Sequence, residues 1–162
     1  MSDLLHASDK NAEAIQQMDE ELPSDLEGCW RDASSSSTLY AKFLGGDLIV
    51  PYCYGGASGL TGVFFNFRRR SEKVAFARFK WINSPIQGFA YIERLGTDDF
   101  SGGWWYSEDV PRKALEDLEK VYRDLPRMND IRLSRLPQPQ KLPHWVEAFF
   151  SVPKDELLKL LR

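Results

Sequence analysis

Histidine and cysteine are scarce in this chain of 162 residues, which contains two of each. General acid–base and nucleophilic catalysis most often recruit histidine, and zinc sites recruit cysteine and histidine at short spacings. His6 lies in the N-terminal segment, His144 lies beside Pro143, and no cysteine–histidine spacing suits zinc. We therefore assign no catalytic residue, no metal ligand and no cofactor, and we favour a binding role over an enzymatic one.

Long apolar runs are also missing. No stretch approaches the roughly 20 apolar residues of a membrane-spanning helix, and residues 1–6 lack the basic start and apolar run of a signal peptide. Residues 55–59, Gly-Gly-Ala-Ser-Gly, lack the Lys-Ser/Thr and helix start of a phosphate-binding loop and predict a hairpin loop. These absences indicate a soluble, cytoplasmic protein without a membrane partner.

Negative charge is concentrated at the N-terminus. Residues 1–27 contain eight acidic residues against one lysine, whereas the rest of the chain has a small excess of basic residues. A polar, strongly charged segment of this kind is typical of a solvated and flexible chain. We therefore predict a flexible acidic tail over residues 1–25.

Short apolar runs separated by turn residues fill the region 26–107. Gly, Asn, Ser and Asp at the breaks supply the backbone conformations that tight hairpins need. The even spacing of the runs is typical of an antiparallel barrel or sandwich, and closure hides exposed strand edges. We predict an α+β, mainly β domain, a small antiparallel barrel or meander of seven to eight strands. The predicted strands are 27–31, 38–44, 47–53, 61–68, 73–82, 86–94 and 99–107.

One unit recurs in this region: an apolar residue two positions before a glycine and an aromatic residue two or three positions after it. Glycine inside a strand usually marks a bend, a bulge or a close backbone approach, which small barrels need at their corners; the alternative is that hairpins happen to begin with glycine. The copies are Leu26–Trp30, Leu60–Phe65, Ile86–Tyr91 and Phe100–Trp105.

Gly28-x-Trp30 on the first strand, followed by Leu-Thr-Gly-x-aromatic hairpins, resembles the calycin superfamily, which includes avidin-like and lipocalin-like barrels. The resemblance covers residues 26–107. It implies that Trp30 packs across the closed end of the barrel. The Thr-Asp-Tyr motif of secreted lipocalins is absent, and the resemblance leaves the class of ligand open.

Residues 108–162 have a helical pattern. An apolar stripe over 110–125 predicts a helix that packs on the barrel, and residues 131–136 alternate as an edge strand does. A Pro-rich connector at 137–143 leads to a last helical segment, whose leucines at 157–161 are expected to pack on the domain or on a second chain. We predict a helical C-terminal extension and a monomer or weak homodimer.

Three binding functions fit this pattern. The first is a small apolar or aromatic ligand inside the barrel, because alternation brings aromatic side chains onto both faces of neighbouring strands and an eight-stranded barrel is wide enough for one small ligand. The interior is either open or filled by its own side chains. The residues expected to line the ligand site are Phe65, Phe79, Trp81 and Trp104.

The second function is a protein–protein interaction or regulatory module. Trp104-Trp105-Tyr106, the Pro-rich connector and the Leu-rich C-terminus are surfaces of the kind that partner proteins use.

The third function is binding of single-stranded nucleic acid, through basic residues that alternate with aromatic ones. We rank it last, because the β region is almost neutral and a run of arginines at a hairpin tip is usually a solvated turn. The basic surface consists of Arg68, Arg69, Arg70, Arg78 and Lys80.

Overall fold

The computed structural model describes residues 22–161 except 56, 116, 127–128 and 138–140. Residues 1–21 of the predicted acidic tail therefore lie outside the described residues. The middle of the Pro-rich connector lies outside them as well.

Eight antiparallel strands form a closed barrel in the order in which they occur along the chain. This confirms the predicted mainly β fold with a small antiparallel barrel. The alternating segment predicted as an edge strand pairs with the last strand of the β region on one side and with the first strand on the other, so it closes the barrel and leaves no edge. The strands are β1 Gly28–Asp32, β2 Ser37–Leu44, β3 Asp47–Cys53, β4 Gly62–Arg69, β5 Val74–Trp81, β6 Gln87–Gly96, β7 Asp99–Tyr106 and β8 Asn129–Arg135.

The helices lie outside the barrel. The predicted helix 110–125 is present as two short helices, α1 and α2, and the C-terminal segment forms α3 and α4. Their ranges are α1 Arg112–Leu115, α2 Leu118–Val121, α3 His144–Ser151 and α4 Lys154–Leu161; single 3₁₀ turns lie at Ser24–Leu26 and Ser107–Asp109.

Alternation along the strands separates an inner from an outer apolar face, because successive side chains point to opposite sides of a sheet. On β5, Ala75 and Phe79 face the interior while Val74 and Phe76 face outward. The outer face is covered by the helices at two places. Trp105, 1% exposed, packs there with residues of α2.

The second covered place lies on β3 and β4. Leu157 and Leu161 of α4 are buried there against Ile49 and Val63, with exposures of 1% and 3% for the two leucines. The predicted interaction surfaces at Trp105 and at the C-terminal leucines are thus largely covered by this chain itself; Leu160 is the exposed member, at 59%.

The glycines of the recurring unit lie where another group approaches closely. Tyr52 is directly opposite Gly62, and a Cβ on that glycine would lie 2.6 Å from the tyrosine hydroxyl. Phe79 is directly opposite Gly88, and a Cβ there would lie 2.5 Å from its ring. Each glycine therefore leaves room for an inward aromatic side chain on the neighbouring strand.

One end of the barrel is closed by Trp30, which is 3% exposed. Its indole N–H donates to the carbonyl of Leu26 at 3.0 Å, and its ring meets Phe100 edge to face at 5.2 Å. The guanidinium of Arg135 lies over the same ring, 4.1 Å from the centroid. The 3₁₀ turn before β1 is thereby held against this end of the barrel.

Candidate functional site: a cavity at the open end of the barrel

Two neighbouring cavities lie in the barrel interior. The one in the closed half is small, about 50 Å³, and apolar. The one at the open end is larger, about 250 Å³, and has a mixed lining. Both are bordered by Leu39, Phe64, Ile131 and Leu133, which form the boundary between them. Most of the empty space inside the barrel therefore lies at the open end.

Aromatic side chains form a continuous chain of ring contacts around the open end. Neighbouring centroids are 4.9 to 5.9 Å apart, the range in which edge-to-face and offset pairs are favourable. The ring order is Trp81, Tyr54, Tyr52, Phe64, Phe79, Trp104 and Tyr106. Because each ring is held by its neighbours, the wall of the cavity is preorganised.

A polar cluster completes the lining at the end of β1. The carboxylate of Asp32 accepts from the backbone N–H of Ser34 at 3.1 Å, from the hydroxyl of Ser35 at 2.9 Å and from the backbone N–H of Arg132 at 3.0 Å. Ser35 and Ser37 share a further hydrogen bond of 2.7 Å between their hydroxyls. Asp32 is 7% exposed and Ser37 2%, so this cluster is a built part of the wall.

Two tyrosine hydroxyls add hydrogen-bonding groups to the lining. Burial, then the neighbouring Tyr106 and Asp32, raise the pKa of Tyr54 to about 12. Burial and the neighbouring Tyr54 also raise the pKa of Tyr52 well above its ordinary value. Both hydroxyls therefore keep their protons at neutral pH and are able to donate a hydrogen bond.

The four residues expected to line a ligand site are not all brought together. Phe79 and Trp104 line the cavity, and Trp81 stands behind Tyr54 in an edge-to-face contact of 5.3 Å. Phe65 lies on the outer face of β4, buried against the C-terminal helices and under the guanidinium of Arg78. Its neighbour Phe64 takes the inward position, because two adjacent strand residues face opposite sides.

The polar cluster and the two tyrosines at the end of β3, Tyr52 and Tyr54, were not predicted from the sequence. Residues 34–37 had the composition of a turn, and only their position at the end of β1 makes them part of a cavity. One signal was available for Asp32: it lies two residues after Trp30 and therefore shares its inward face.

The residues of the predicted basic surface lie on β4, on β5 and in the turn between them. Arg69 donates to the carbonyls of Ser71 and Glu72 in its own turn. The other basic residues contact different elements. Arg70 pairs with Glu119 at 3.6 Å, and the guanidinium of Arg78 lies over the ring of Phe65. Lys80 donates to the Leu160 carbonyl at the end of α4. Arg68, Arg70 and Arg78 line one outer groove beside α2, which acidic residues of the helical segment, Asp117 and Glu119, line as well.

Other classes of site receive no support from the described part of the chain. Within it, no group of three or more His, Cys, Asp or Glu residues is arranged to hold a metal ion. Both cysteines are free thiols. No helix within the described ranges has the length and apolar character needed to cross a bilayer. Comparisons of the chain with protein-family models, with curated proteins and with solved structures find no match.

Proposed function

We propose that this protein binds a small apolar or aromatic molecule in the open end of its barrel. The observation that carries the proposal is the 250 Å³ cavity, walled by aromatic rings and bordered by a hydrogen-bonded polar cluster. Binding sites for small molecules are typically concave and mostly apolar, with a few well-placed polar groups that orient the ligand.

The size of the cavity limits the ligand. A cavity of about 150 Å³ is enough for benzene, so 250 Å³ suits one or two fused rings with a short substituent. The ring of the ligand would lie against Phe79 and Trp104, and its polar substituent would meet Ser35, Ser37 or Tyr54. The closed half leaves only about 50 Å³ below it, so a long aliphatic chain is a poor fit.

We further propose that the barrel is of the calycin type. This is supported by a Trp30 that lies across the closed end, on a first strand that begins with Gly28-x-Trp30. An avidin-like or lipocalin-like architecture places its ligand at the opposite, open end, where the cavity of this barrel lies.

The proposal is tested by amide chemical-shift mapping with indole, a neutral bicyclic probe. We expect saturable shifts at the backbone amides of Ser35, Tyr54 and Trp104 and none at the closed end. In Ser34→Trp, which places a large ring at the exposed rim, binding should be lost. Ser58→Trp is the matched control, since Ser58 is equally exposed but outside the lining. Equal indole binding by both variants, or no binding by the wild type, would overturn the proposal.

A further inference from the structure

The charged side chains that line the open-end cavity are of one sign only. Three of the four connections at this end, 33–36, 54–61 and 82–86, contain no charged residue, whereas the fourth, 107–128, contains residues of both signs. The charged residues in the cavity lining are Asp32 and Asp130, both acidic. By contrast, the turns at the closed end are surrounded by arginine and lysine as well as acidic residues, among them Arg94 and Arg135.

Asp32 is the unusual member of this set. Aspartate is rarely buried unless it is paired with a cation, and Asp32 is only 7% exposed. The three donors to Asp32 are a serine hydroxyl and two backbone N–H groups, all neutral. Within the described residues it forms no ion pair. A buried carboxylate at the border of the cavity is therefore left without a cationic partner from this part of the protein.

The aromatic wall of the cavity also favours a positively charged ligand. The faces of Trp and Tyr rings attract cations because of their quadrupole. The attraction is worth roughly 0.5 kcal/mol at exposed sites and about 2 kcal/mol where the cation is desolvated. Tyr52, Tyr54 and Trp104 all line the cavity that Asp32 borders. A cation in this cavity would gain from the rings and from the carboxylate together, whereas an anion would be repelled by both.

We propose that the ligand of the open-end cavity is an organic cation: an aromatic or apolar body carrying an ammonium or similar group, with the positive charge directed at Asp32. This inference rests on the proposed function, because it concerns the same cavity, and it specifies the class of molecule bound there.

Three probes with the same indole ring test the sign of the charge. Tryptamine carries an ammonium group, tryptophol a neutral hydroxyl and indole-3-propionate a carboxylate. Titration calorimetry with the full chain should give an affinity for tryptamine about tenfold higher than for tryptophol, as expected for one partly desolvated charge pair. Indole-3-propionate should bind weakest, and the advantage of tryptamine should shrink as salt is added.

Asp32→Asn removes the charge while its hydrogen bonds are retained. The Oδ1 atom of an asparagine would accept from the same two backbone N–H groups. Its NH₂ group would donate to the hydroxyl of Ser35, and Ser35 would then donate to Ser37, since either hydroxyl of that pair can be the donor. We expect about a tenfold loss of tryptamine affinity and little change for tryptophol. Asp99→Asn, the same substitution at the closed end, is the control and should change neither.

Ser34→Lys gives an independent test should Asp32→Asn fold poorly, because Ser34 is exposed at the rim. The added cation should weaken tryptamine and strengthen indole-3-propionate. Equal affinities for tryptamine and tryptophol in the cavity would overturn the cation preference and leave the proposed function standing. A complete lack of binding by all three probes would overturn both.

Discussion

The guanidinium of Arg135, on the last strand, lies 4.1 Å from the ring centroid of Trp30, on the first. The same guanidinium donates to the backbone carbonyls of Asp25 and Glu27, at 2.6 and 3.0 Å, and to the carboxylate of Asp98 at 2.7 Å. One side chain thus joins the two strands that close the barrel and holds the 3₁₀ turn over the closed end.

Arg135→Ala should lower the free energy of unfolding by roughly 2–4 kcal/mol, since it removes several charge-assisted hydrogen bonds and the contact with Trp30. Arg135→Lys should recover only part of this loss, because an ammonium lacks the planar fork that reaches three partners. Urea denaturation followed by tryptophan fluorescence measures the change. Arg132→Ala, at an exposed outward position on the same strand, should stay within about 0.5 kcal/mol of the wild type. An equal loss in both alanine variants would contradict the role of Arg135.

Gly102→Ala should destabilise the barrel by roughly 3 kcal/mol or more. A Cβ at Gly102 would overlap the carbonyl oxygen of Tyr91 on the adjacent strand, and backbone cannot move aside as a flexible side chain does. Gly59→Ala is the control, since no atom lies within 4 Å of its added Cβ. Thermal unfolding by circular dichroism should show a much lower midpoint for Gly102→Ala and an unchanged one for Gly59→Ala. Similar midpoints would mean that the glycine is not needed for a close approach.

Leu157→Ala should cost about 2–4 kcal/mol, because a buried leucine is replaced by a cavity between α4 and the barrel. Leu160→Ala lies on the same helix at 59% exposure and should be nearly neutral. Denaturation curves of the two variants distinguish a helix docked on its own barrel from one that serves a partner. If Leu157→Ala were neutral, the described docking of α4 would be wrong.

Acid should remove the contribution of the Asp25–Arg94 pair, which has two contacts of 2.6 and 3.1 Å. Hydrogen bonding to Arg94 lowers the pKa of Asp25 below its ordinary value. A depressed folded-state pKa stabilises the fold above the unfolded pKa, and the stabilisation is lost as pH falls through the folded value. The difference between wild type and Asp25→Asn should therefore be fully present near pH 6 and be lost as the pH falls below the ordinary aspartate pKa, about 3.9, and through the lower folded value.

That difference should stay below about 1 kcal/mol, because half of the Asp25 side chain is exposed and solvent screens the pair. Urea titrations at several pH values measure it, with Asp99→Asn, an exposed residue at the same end, as control. If the stability difference between wild type and Asp25→Asn grew as the pH falls, the stabilising role of this pair would be contradicted.

The barrel was largely predictable from the sequence, because the alternation of apolar and polar residues and the turn residues between the runs are local signals. The closing role of β8 was less so. Ile131 and Leu133 alternate as a strand does, but a sequence pattern does not identify strand partners, and β8 pairs with β1 from the other end of the chain. The single helix predicted over 110–125 is interrupted at Asp117, where the chain forms a turn. The apolar stripe did not indicate this break, because it continues on both sides of the turn.

Residues of the candidate site were predictable from the sequence only where the alternation of side chains along a strand determines which of them face inward. The alternation of β5 and β7 put Phe79 and Trp104 on one face, and both line the cavity. For Phe64 and Phe65 the local sequence did not indicate which of two adjacent aromatic residues faces inward. The cluster of Asp32 with Ser35 and Ser37 depends on the close arrangement of a turn and two strands, which three-dimensional packing sets.

The most direct test of the central claim is a set of intermolecular nuclear Overhauser effects between the full chain and an indole-ring probe such as tryptamine. The account predicts contacts from the ring protons to Phe79, Trp104 and Tyr54, with none to Trp30. Contacts only to exposed outer residues such as Leu95 or Leu115, or none at saturating probe, would contradict a ligand site in the open end of this barrel.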